Sequence, residues 1–109
     1  MINIEAELGE DKMFYLMASG HADAERTEDG RDLVCCAVST IMGVLANSCA
    51  LIEEVRTVYH SRSGNAQVSV TDVPEKLRAE INSRFQMAVD GLEALAVQYP
   101  QCLWITVKT

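Results

Sequence analysis

At 109 residues the chain is one domain's worth, and its 49% hydrophobic content supplies one buried core, which excludes disorder. Nine Lys and Arg against 16 Asp and Glu leave a net charge of −7, which argues against direct nucleic-acid binding and favours a basic protein or peptide partner. No apolar run approaches the ~20 residues of a membrane span, and residues 1–10 hold no signal-like segment, so one cytoplasmic domain over 1–109, away from membranes, is expected.

Residues 1–8 alternate, with Ile2, Ile4, Ala6 and Leu8 on one face, and predict a strand. Gly9-Glu10-Asp11 turns the chain into a second strand through Phe14, Leu16 and Ala18 that ends near Gly20, making a β-hairpin. Residues 21–30 are almost all polar and lack periodicity, which predicts an exposed loop. A buried helix is expected over 33–52, with Val34, Val38, Ile41, Leu45 and Ile52 on its apolar stripe and Asp32 as N-cap. Residues 56–60 and 67–71 read as strands around Ser63-Gly64-Asn65, a second hairpin. Asp72-Val73-Pro74-Glu75 has the form of an acidic N-cap with an early proline. The helix it opens carries Leu77, Ile81, Phe85, Ala88, Leu92, Leu95 and Tyr99 at steps of three and four, until Pro100 stops it. A last strand covers 102–107. The order β-β-α-β-β-α-β predicts an α+β two-layer sandwich, two helices on a mostly antiparallel sheet.

The four cysteines are Cys35, Cys36, Cys49 and Cys102. They contain no Cys-x-x-Cys pair, and neither a metal site nor a cofactor is expected. Cys49 and Cys102 fall at core positions. Cys35 differs, because it lies about 100° from the stripe through Val34 and Val38. On the face it shares with Ser39, Gly43 and Ala46 the residues are small. If Asp32 caps the helix, Cys35 occupies the first turn, where the macrodipole favours an anion. Thiols ionise near 8.5 when free, and helix N-termini or a neighbouring His⁺ bring this to roughly 3.5–7.5. His21, behind Gly20 at a strand end, stands at the other end of the polar loop, which is long enough to close. A thiol and an imidazole so placed form a nucleophile and base pair. The same residues also have plain structural readings: a packed cysteine, a solvated histidine, a capping aspartate. Two further readings stand beside catalysis, a non-catalytic binding module and a redox sensor using the neighbouring Cys35 and Cys36.

Gly20-His21-Ala22, a polar loop ending at Gly30, then Asp32-Leu33-Val34-Cys35 with Ser39 four positions on, resemble the ribosomal-processing cysteine protease family Prp over the whole chain. The resemblance implies a cytoplasmic, homodimeric cysteine endopeptidase. It implies removal of the N-terminal extension of a basic ribosomal protein, the twenty-seventh of the large subunit. It further implies Cys35 as nucleophile, His21 as general base, and Gly20, Asp32 and Ser39 as supporting residues, with the intervening loop covering the site. Cys36 departs from the family pattern, which has a small Ala or Ser there. No carboxylate partner for His21 is evident, so a dyad is expected.

Overall fold

Alternating burial in the first strands sets one sheet face inward. The computed structural model describes residues 1–9, 12–21 and 33–108. Strand β1 (Ile2–Leu8) buries Ile2, Ile4, Ala6 and Leu8, and β2 (Phe14–Gly20) buries Phe14, Leu16 and Ala18. They pair antiparallel from Ile2↔Gly20 to Leu8↔Phe14. Every inward residue of one therefore faces an inward residue of the other, as a period of two requires.

Helix α1 (Leu33–Ala50) follows, then strands β3 (Arg56–Arg62) and β4 (Asn65–Thr71), helix α2 (Arg78–Gln98) and strand β5 (Leu103–Lys108). The sheet has five strands in the order β3-β4-β2-β1-β5. All neighbours are antiparallel except β1 and β5. The expected α+β sandwich is what forms. Its one parallel pair exists because α2 carries the chain from β4 across β2 and β1 to the far edge, where Ile2 pairs with Leu103 and Ile4 with Ile105.

The core lies between the sheet and both helices. Phe14 of β2 meets Phe85 of α2 with ring centroids 5.6 Å apart, and both are fully buried. Truncating a buried phenylalanine of this kind costs about 3–5 kcal/mol, so this pair anchors the two layers.

Three expectations need correction. The buried stripe of α1 is Val34, Val38, Met42, Leu45, Ala46 and Cys49, whereas Ile41 and Ile52 are only half-buried. Ile41 turns toward α2, where it lies beside Gly91, and Met42 takes the sheet-facing place. Asp72 does not cap α2. It adopts a left-handed φ of 59°, Pro74 leads into a 3-10 turn (Glu75–Leu77), and α2 starts at Arg78 with no side-chain cap. The Leu77 N–H donates to the Pro74 carbonyl at 2.9 Å, so a tight backbone turn does the work of the cap. Finally, α1 is charge-free and long and apolar enough to cross a membrane by length and composition. The expectation that no such run exists therefore fails. In this fold its buried stripe is part of the core.

Candidate active site

Helical phase and chain reversal bring the start of α1 and the end of β2 to one site. Cys35 is the third residue of α1. Val34 and Val38 are buried beneath it, and Cys35 itself stays half-buried at the rim. At this position, in the first turn, the helix dipole presents its positive end, which favours negative charge developing nearby. Cys36, one residue on and about 100° around, is exposed. Ser39, one turn after Cys35, is exposed on the same face.

His21 is delivered by β2. The preceding Gly20 has φ +101°, and a Cβ there would overlap the Met1 carbonyl oxygen, so only glycine fits. The Met1 amine donates to the His21 carbonyl at 2.6 Å. The Gly20 N–H donates to the Gly64 carbonyl at 2.9 Å, which ties the end of β2 to the β3–β4 turn.

These elements surround a cleft of about 370 Å³. Cys35, Val38 and Ser39 form the helix side, Gly20 and His21 the strand end, and residues 61–65 the hairpin side, over a floor of Ile2, Ala18 and Ala66. Four of the five residues singled out in the sequence, Gly20, His21, Cys35 and Ser39, thus line one cavity. Asp32 and the loop over 22–31 lie outside the described residues. No carboxylate is among the described lining residues, and Arg62 and His21 are its titratable bases. Among the described residues no group of three or more His, Cys, Asp or Glu is placed to hold a metal ion.

The hairpin side was not foreseen as part of the site. Ser63-Gly64-Asn65 is legible as a turn, but nothing in a linear pattern ties it, or Arg62 beside it, to His21. The strands also run further than expected. Arg62 pairs with Asn65, which leaves Ser63 and Gly64 alone as the turn and brings its tip to the cleft.

The other thiols lie elsewhere. Cys49 and Cys102 are buried, as their core positions required, and none of the four cysteines is in a disulfide. Burial pushes the Cys49 thiol above its ordinary value, with the Ser48 hydroxyl and the Arg84 charge pulling weakly the other way. It is an inert core group.

A half-buried thiol at a helix start, an imidazole across an open cleft and a small α+β scaffold define the class of cysteine hydrolases. The family model described as cysteine protease Prp matches residues 1–104, and the chain belongs to that family; it is a cysteine protease. No curated protein matches the sequence. Among solved structures, an essential ribosomal-processing protease Prp from S. aureus with a covalently linked product peptide superposes with a TM-score of 0.77 at 19% identity, covering 99% of this chain and 100% of that one. The same S. aureus protease with a substrate peptide gives 0.70 at 17% identity, with 99% and 100% coverage. SMU.848 from Streptococcus mutans gives 0.69 at 19% identity, with 100% and 95% coverage. At these identities the likeness is one of fold.

Proposed function

We propose that the protein is an endopeptidase that removes the N-terminal extension of a basic ribosomal protein, the twenty-seventh of the large subunit, by Cys35/His21 catalysis. The observation that carries this reading is that His21 and Cys35, from separate elements, line one open cleft. The similar S. aureus structure, a ribosomal-processing protease, supports the substrate class. So does the net charge of −7, which attracts a basic partner. In this reading the enzyme acts in the cytoplasm as a homodimer, as the family resemblance implies.

The chemistry follows from the groups present. The Cys35 thiol gives its proton to the His21 imidazole, and the sulfur attacks the scissile carbonyl carbon. The C–S bond forms as the carbonyl π pair moves to oxygen, where the positive end of α1 favours the charge. Collapse breaks the C–N bond, and the imidazolium protonates the departing amine. A thioester to Cys35 remains. Water then loses a proton to His21 and attacks that thioester, and the C–S bond breaks. The new C-terminal acid leaves, and the proton returns from His21 to sulfur. Gly20 and Ser39 support the site, Gly20 by setting the approach to His21 and Ser39 by its place one turn from the sulfur. Asp32 belongs to the same supporting set by its family position.

Incubation with a peptide spanning the ribosomal extension tests the assignment. Wild type cleaves it, whereas Cys35→Ser and His21→Ala each lose about 10³-fold or more. Cleavage at the wild-type rate by either variant overturns the roles given to these residues.

A further inference from the structure

We infer that Gly64, at the tip of the β3–β4 hairpin, is a positioning residue that sets the His21 imidazole against Cys35. This rests on the reading of His21 as general base. Gly64 touches the His21 region in two ways. Its carbonyl accepts the Gly20 N–H at 2.9 Å, which fixes the backbone immediately before His21. Its bare α-carbon lies against the ring: a Cβ there would stand 3.0 Å from Nε2, 3.4 Å from Cε1 and 3.7 Å from Cδ2. The first distance is tighter than ordinary van der Waals contact, so a side chain at 64 displaces the imidazole by a few tenths of an ångström. The backbone demands the same residue independently, since φ is +77°.

The turn and the strand end are therefore one device. The hairpin carbonyl holds where His21 leaves the sheet, and the missing methyl defines where its ring lies within the cleft. Cys35, on α1, lines the same cleft. A small displacement of the ring misaligns proton transfer without removing either reacting group. A misplacement of about 1 Å in such geometry costs up to about 100-fold in rate.

Gly64→Ala tests the inference, with Gly64→Asn beside it. Asparagine tolerates a left-handed φ, so it keeps the turn while still adding a Cβ. Gly9→Ala is the control for backbone strain. Gly9 also has positive φ, +91°, and a Cβ there meets the Arg78 side chain at 3.1 Å, outside the cleft. Both Gly64 variants are expected to lower kcat by up to about 10-fold with KM changed little, and to displace the pH profile of kcat/KM. Gly9→Ala lowers Tm and keeps kcat. Alkylation of Cys35 by iodoacetamide slows in Gly64→Ala, but the same substitution adds nothing in a His21→Ala background.

Wild-type kcat in folded Gly64→Asn, with His21→Ala inactive, overturns the role of Gly64 and leaves the dyad intact. An equal loss of Cys35 alkylation with and without His21 overturns it too. Full activity of His21→Ala overturns the dyad itself, and the positioning role with it.

Discussion

Cys35 and Cys49 lie on the same helix, fourteen positions apart, which at about 100° per residue puts them within about 40° of one azimuth. They have opposite fates. Cys35 is half-buried beside an open cleft, and Cys49 is fully buried with its thiol pushed up by desolvation. The difference comes from what lies beyond each end of α1. At its start the sheet gives way to the β2 terminus and the β3–β4 turn, which leave a cavity. Near its end α2 packs close, and Arg84 donates to the Ser48 carbonyl at 2.9 Å. Residue type and helical phase alone do not separate a cysteine that lines a cleft from a packed one; the terminus and its neighbours do.

Reciprocal substitutions test this contrast most strongly. Cys35→Ser is expected to lose about 10³-fold or more of peptide cleavage while Tm moves little, because its side chain is only half-buried. Cys49→Ser is expected to do the reverse. A hydroxyl in place of a fully buried sulfur lowers the unfolding free energy by about 1–3 kcal/mol in urea, with kcat within about twofold of wild type. A stable Cys49→Ser or an active Cys35→Ser breaks the comparison.

A smaller effect concerns pH. The folded-state value of Cys49 is raised, so the folded state holds its proton more tightly than the unfolded state does. The stabilisation from this group is thus complete below about pH 9 and is lost as pH rises through the folded value. The stability advantage of wild type over Cys49→Ala, measured by urea melts, should therefore narrow above pH 9. A constant difference from pH 7 to 10 contradicts the assignment. Smallest of all is Cys36→Ser, expected to leave cleavage and Tm unchanged, because this thiol is exposed and lies off the cleft. Loss of activity in that variant would bring the two-thiol reading back.

Much of the fold was legible because its signals are local. Ile2 to Leu8 alternates with its inward residues buried, and the stripe at steps of three and four buries Ile81, Phe85, Ala88 and Leu92 in α2, while Leu77, Leu95 and Tyr99 at its ends are half-buried. Legibility failed where two elements compete for one position. Met42 displaced Ile41 because the azimuth facing the sheet is decided by where α2 sits. Asp72 lost its expected cap because the chain turns through left-handed backbone before Pro74, and the Val73 N–H is spent on the Lys12 carbonyl at 3.4 Å. The candidate pair His21 and Cys35 was readable from the ends of one loop. The wall formed by Arg62, Ser63 and Gly64 was not.

From the sequence alone came the element order, the two-layer α+β class, the helix-start position of Cys35 and the family pattern through Gly20, His21 and Ser39. These depend on neighbours within a few residues, and a linear pattern records them. Only the tertiary structure decided that β5 lies parallel beside β1, that the β3–β4 turn meets the end of β2, and that His21 rests on Gly64. Each of those joins residues separated by tens of positions, through hydrogen bonds and contacts that no local pattern records.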